Sequence, residues 1–151
     1  MAVYLITGGA NGIGAEIALR LHGAGNSILF ADIERVALPG VRSVICDLSD
    51  EGQIASLMFG VEAVEGRLDG LVCHAPDAED DFTSTGLLIN AAAGLLRQPR
   101  GAAVAVHRQG PAALPVLTRN LARNLGPEIR VDCIAPCGAE HFDNLAAYLL
   151  G

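Results

Sequence analysis

The chain has 151 residues, 51% of them hydrophobic and 18% charged, with a net charge of −7. That length and apolar content suit a single domain, residues 1–151, with a real core. The acidic balance argues against a general nucleic-acid binder, which needs a basic face for phosphates. No apolar run approaches the roughly 20 residues that a membrane span requires, and the N-terminus lacks the basic start and small-residue cleavage site of a signal peptide, so a cytoplasmic protein is expected.

Ala2-Val3-Tyr4-Leu5-Ile6 reads as a first strand over 2–7. It runs into Thr7-Gly8-Gly9-Ala10-Asn11-Gly12-Ile13-Gly14, at the mouth of a helix over 12–24 with Ile13, Ile17 and Leu21 on one face. A dinucleotide-phosphate cradle has to sit between strand and helix in this way. Gly8 permits the tight turn, Gly12 removes a Cβ where a pyrophosphate would approach, and Gly14 lets the helix pack close. The N-terminal amides and the positive end of the helix dipole then face the anion. His22, on this helix, is expected to be a solvated surface residue. Ser27-Ile28-Leu29-Phe30-Ala31 is a second strand, over 27–31, that ends at Asp32. An acidic residue about 20 positions past the glycines is placed to accept hydrogen bonds from an adenosine ribose.

The link from Asp32 to Pro39 is too short for a helix before the next strand, 41–46. There follow helix 50–64, strand 68–73, helix 84–97, strand 101–107, helix 111–126, strand 129–134 and helix 142–150. The alternation implies an α/β fold, a Rossmann-type doubly wound parallel sheet of about six strands with right-handed crossovers. Helix 111–126 carries an apolar stripe of Leu114, Leu117, Leu121 and Leu125, and Pro115 should bend that helix or delay its start. The cysteines at 46, 73, 133 and 137 read as reduced, small buried hydrophobes, with Cys137 set apart. Asp77-Ala78-Glu79-Asp80-Asp81 reads as a solvated loop.

Ligands of an open parallel sheet bind outside the carboxyl ends of the strands. His74, His107 and His141 fall there, with Arg108 and Cys137 on the same rim. Three readings stay open. Polar residues accumulate at strand ends because loops are polar. Alternatively, His74, His107 and Arg108 form an acid/base and anion-binding set. A metal held by His74, His107, His141 and Cys137 is the third, disfavoured because the ligands come from separate loops without a local metal spacing.

The spacing T-G-x-x-x-G-x-G in residues 7–14 resembles that of the short-chain dehydrogenase/reductase family, and the likeness runs along nearly the whole chain. Cys46-Asp47-Leu48 is similar to the family's element after the third strand, Leu68-Asp69-Gly70-Leu71-Val72 to its fourth strand and Ile89-Asn90 to its central helix motif. Ile129-Arg130-Val131-Asp132-Cys133-Ile134-Ala135-Pro136 is similar to its sixth strand. The resemblance implies a nicotinamide dinucleotide held by Thr7, Gly8, Asn11, Gly12, Ile13, Gly14, Asp32, Asp47 and Leu48, with Asp47 at the adenine. Asp32 would repel a 2′-phosphate, and Arg35 is the only nearby cation, so NAD is expected rather than NADP. The resemblance also implies a homodimer through helices 84–97 and 111–126.

The departures lie in the chemistry. The family uses a Tyr-x-x-x-Lys pair, the Tyr trading a proton with the substrate oxygen, and a Ser one strand earlier. Counting back from Leu117-Thr118-Arg119 puts Pro111 at the Lys and His107 at the Tyr. Aligning Gly101-Ala102-Ala103-Val104-Ala105-Val106 instead puts His107-Arg108 at the family's Ser-Ser. The family's N-N-A-G after the fourth strand has become Cys73-His74-Ala75-Pro76, and Asn90, matched to a proton-relay Asn, relays toward nothing. The chain is abbreviated within the central helix, between the fifth strand and the next helix, and after Pro136. Two functions follow. One is an atypical enzyme acting on an unnamed small molecule, by hydride transfer with a substituted acid or by non-redox cyclisation, isomerisation or elimination. The other is a catalytically inactive NAD-binding homologue with a structural or sensing role.

Overall fold

The computed structural model describes residues 1–8, 12–75, 81–98, 102–108, 113–134 and 141–150, without the side chains at 13, 75, 81–84, 102–108, 113–118, 133–134 and 141–142. The elements are β1 (Val3–Thr7), α1 (Ile13–Gly23), β2 (Ser27–Asp32), β3 (Arg42–Ile45), α2 (Glu51–Val64), β4 (Gly70–Ala75), α3 (Asp81–Leu96), β5 (Ala102–Arg108), α4 (Ala113–Leu125), β6 (Ile129–Ile134) and α5 (His141–Leu150). The strands form one parallel sheet of order β3-β2-β1-β4-β5-β6. The order reverses between β1 and β4, and no helix intervenes between β2 and β3.

Period-two alternation along the strands divides the core between the two faces of the sheet. Val3, Leu5, Leu29, Ala31, Leu71 and Cys73 pack under α2, α3 and α4. Their alternates Tyr4, Ile6, Ile28, Phe30 and Val72 pack under α1 and α5, against Ile17, Leu21, Leu145 and Leu149. Burying both faces is why β1 and β2 read as unbroken apolar runs.

The expected elements recur with small shifts. β4 lies at 70–75 rather than 68–73, and α3 begins at Asp81, three residues before the expected start. Pro115 is the third residue of α4, within the first turn, where a missing N–H removes no intrahelical bond. Leu121 and Leu125 are buried in the chain's own core, so half of the α4 stripe serves the monomer.

One expectation is overturned. His22 is half-buried rather than solvated, and its Nδ1 is shielded from solvent with no hydrogen-bond partner. Gly40, at φ +75°, lies against the imidazole so closely that a Cβ there would stand 2.1 Å from Nε2. The helical periodicity around His22 could not reveal this contact, because its partner comes from the link before β3.

Candidate nucleotide site

The site is built outward from the end of β1. The Thr7 hydroxyl is buried and donates to the Val72 carbonyl at 3.4 Å, tying β1 to β4 at the point where the strand order reverses. Gly8 then turns the chain at φ +74°, its N–H donating to the Ala31 carbonyl at 3.2 Å. A Cβ at Gly8 would stand 3.1 Å from the His74 carbonyl oxygen and 3.2 Å from the His74 Cβ. Glycine is therefore required twice there, for backbone conformation and for the close passage of β4.

Gly12 is the N-cap of α1, and a Cβ there would meet nothing within 4 Å. It has no side chain to occupy the first-turn amides, whereas at α2 the Asp50 carboxylate accepts from the N–H groups of Gly52 at 2.9 Å and Gln53 at 3.3 Å. One helix start is capped by its own chain, and the other presents a bare cap where an external anion can serve. Gly14 is buried and Ile13 opens the helix. Asn11 lies outside the described residues.

A cavity of about 310 Å³ opens beyond the carboxyl ends of β1 to β4. Asp32, Asp47 and Leu48 line it with Thr7, Gly8 and His74. Asp32 is half-buried at the end of β2, and its carboxylate accepts from the Glu34 N–H at 3.4 Å. Asp47 is exposed. Its Oδ1 accepts from the Ser49 hydroxyl at 2.6 Å and the Ser49 N–H at 2.9 Å, which holds the carboxyl below its usual range. The Asp47 N–H donates to the Gln53 side chain at 2.7 Å, so the turn before α2 is fixed from both sides.

Ile33, Ser49, Thr85 and Leu88 also line the cavity and were not read from the sequence as site residues, and Cys46 and Cys73 were read there only as buried hydrophobes. Burial pushes the Cys73 thiol up to about 12, against a smaller opposite effect of a hydrogen bond with Thr7. Cys46 is also raised, by burial and then by Asp47 and Asp50. Both are neutral thiols that close the apolar floor. Thr85 and Leu88 share a face of α3 at i, i+3, a signal available once the helix is begun at Asp81.

The catalytic candidates separate differently from the expectation. The β4–β5 register pairs His74 with His107 and Ala75 with Arg108. Neighbouring strands thus bring the two histidine positions together, while Arg108 takes the next pleat position, beside Ala75. His107 and Arg108, read from sequence as one unit, alternate along the strand; their side chains lie outside those described. His141 opens α5. Cys137, the remaining member of the metal reading, lies outside the described residues, and no group of three His, Cys, Asp or Glu suited to a metal gathers among the described ones.

The two tyrosines stand at the opposite end of the sheet. The Tyr4 hydroxyl donates to the Leu149 carbonyl at 3.2 Å, and Arg130 lies 4.9 Å from the Tyr148 ring centroid. Burial, then Asp69, raises the Tyr4 hydroxyl; burial, then Asp132, raises that of Tyr148. The sequence contains no lysine at all.

This strand order, with a glycine turn at the reversal and a cavity above it, defines a doubly wound fold of the Rossmann type. No family model matches the chain. It is 28% identical to the (21S)-21-acetoxyl-apo-melianone synthase SDR of Melia azedarach, over 90% of this chain and 66% of that protein. It is 30% identical to the 2-dehydro-3-deoxy-L-rhamnonate dehydrogenase (NAD(+)) of a Sphingomonas strain, over 47% of this chain and 31% of the relative. The structure of a hydroxysteroid dehydrogenase from Escherichia coli superposes with a TM-score of 0.75 at 27% identity, covering 89% of this chain and 71% of that one. Along most of its length the chain is thus similar to short-chain dehydrogenases/reductases. It spans 66% of the Melia protein's length, and that alignment occupies 179 positions against a chain of 151 residues, so the relative carries internal segments this chain lacks. Among the described residues no helix is long and apolar enough to cross a membrane.

Proposed function

We propose that the chain binds NAD across the β1–α1 turn and acts as an atypical enzyme of its family on a small molecule. The observation that carries the first half is the cavity at the carboxyl ends of β1 to β4, with Gly8 passing against His74 and the bare Gly12 cap beside it. Asp32 would accept from ribose hydroxyls, Asp47 and Leu48 would meet the adenine, and Thr7, Gly8, Gly12, Ile13 and Gly14, with Asn11 by the resemblance, would hold the pyrophosphate. Asp32 disfavours a 2′-phosphate by charge repulsion, and the NAD(+) in the Sphingomonas relative's name agrees with that preference. Bound NAD would supply the hydride acceptor.

The chemistry rests on His74 and His107 as the adjacent proton-handling pair, because an imidazole can serve as proton donor or acceptor. Arg108, at the next position, would hold an anionic group of the substrate. The second reading, an inactive NAD-binding homologue, is favoured by the absence of lysine and by both tyrosines lying at the far end of the sheet. Calorimetric titration with NAD and NADP, followed by turnover assays on small ketones and alcohols, separates these readings. NAD binding with turnover that His107→Ala abolishes supports the enzyme. NAD binding without any turnover supports the inactive homologue, and tighter binding of NADP overturns the Asp32 argument. A homodimer through α3 and α4 remains part of the proposal.

A further inference from the structure

The terminal strand β3 departs from the rest of the sheet. It has four residues, and both of its faces are partly open: Val44 is 36% exposed on the α2 side and Ile45 is 65% exposed on the other, where the Val36 N–H of the β2–β3 link donates to the Ser43 hydroxyl at 2.9 Å. The physical reason is the link between β2 and β3, which has no helix to cover the second face. Val64, 71% exposed, extends the apolar strip beside Val44 along a groove between β3 and α2. Parallel sheets are otherwise covered on both sides, and an uncovered apolar edge is a template for another strand.

The hydrogen-bond parity of this edge is fixed. The Cys46 N–H donates to the Asp32 carbonyl at 2.9 Å, so Cys46 faces β2, and so does Val44, two residues before it. The main-chain groups of Ser43 and Ile45 therefore face outward. Two copies brought together antiparallel about an axis through Val44 would set Ser43 of one against Ile45 of the other as hydrogen-bonded pairs, twice. Val44 would meet Val44 as a non-hydrogen-bonded pair on the axis.

Charge selects the same arrangement. The strand begins at Arg42, which is held by Glu65 and the Ser27 hydroxyl, and is followed by Asp47, whose carboxyl stays ionised. An antiparallel approach keeps the two Asp47 carboxylates apart, setting each toward the Arg42–Glu65 pair of the other copy. A parallel approach would put like charges together.

We propose that β3 is a self-association edge, through which a second copy of this chain joins by antiparallel β3–β3 pairing to continue the sheet. A closed two-fold contact of this kind is isologous, each copy giving and receiving the same bonds. It is separate from α3 and α4 and does not depend on what the cavity binds.

The test is cross-linking of the intact protein. A non-hydrogen-bonded antiparallel pair has Cα atoms about 4.5 Å apart, within disulfide reach. Val44→Cys, oxidised with copper phenanthroline, is expected to give a covalent dimer, whereas Ser43→Cys and the unmodified chain give little. Light scattering should show association of the unmodified chain that weakens at least tenfold in Ile45→Lys, with circular dichroism unchanged. A monomer at high micromolar concentration would overturn the proposal. So would an assembly whose size and strength Ile45→Lys leaves unchanged, or equal cross-linking of the Ser43 and Val44 variants.

Discussion

The two halves of the sheet differ in what they hold ready for chemistry. At the carboxyl ends of β1, β2 and β3 the described turns are held by hydrogen bonds: the Gly8 N–H to the Ala31 carbonyl, the Cys46 N–H to the Asp32 carbonyl, and Asp47 between Ser49 and the Gln53 side chain. In β4, β5 and β6 the strands are as regular in register, yet β4 carries His74 near its end where the family resemblance implies Asn, and β5 ends in His107-Arg108 where it implies the Ser pair or, at His107, the Tyr. Binding a dinucleotide requires backbone shape and one or two carboxylates, which the first half supplies. Proton transfer requires particular side chains at particular positions, so the second half can keep its fold while its chemistry changes. Site and scaffold vary independently.

The sharpest way to break this contrast is His107→Ala. If the second half is catalytic, turnover falls by about a hundredfold or more with NAD affinity intact. Unchanged steady-state turnover would assign His107 a merely polar strand end. Gly8→Ala strikes the other half. A side chain at φ +74° costs about 1–2 kcal/mol of stability, and its Cβ presses on the His74 carbonyl. NAD affinity measured by calorimetry should drop more than tenfold; retention would show that the dinucleotide avoids this turn. Asp32→Ala should weaken NAD by roughly tenfold, the scale of a hydrogen bond to a charged group, and narrow the preference over NADP. A wider preference would contradict the ribose role.

The smallest effect expected is on pH stability. The Cys73 thiol is raised from 9.0 to about 12 in the fold, so the folded state holds its proton more tightly. That contribution is complete below pH 9 and is lost as pH rises toward 12. Thermal melts should fall across this window, and less so in Cys73→Ala, measured relative to each protein at pH 8. Tyr4, Cys46 and Tyr148 shift in the same direction, so the variant retains part of the slope. An identical slope in both proteins would remove Cys73 from the account.

The sequence by itself determined the order of strands and helices, because apolar runs, glycines and leucine spacing are local signals. It also determined the glycine turn after β1 and the carboxylate that ends β2, since the glycines at 8, 12 and 14 and Asp32 act through their own backbone or their own strand end. It could not reveal Cys73, Thr85 and Leu88 as cavity walls, because these residues reach the site only when α3 crosses over β4. Nor could it reveal that His107 pairs with His74 while Arg108 falls at the alternate position. Adjacency along a chain and adjacency across a parallel sheet are set by different things: covalent order fixes the first, and hydrogen-bond register between strands 33 residues apart fixes the second. The same holds for His22, whose environment is made by Gly40 from another segment, and for the bare β3 edge, which follows from the sheet's order and from the helix missing beside it.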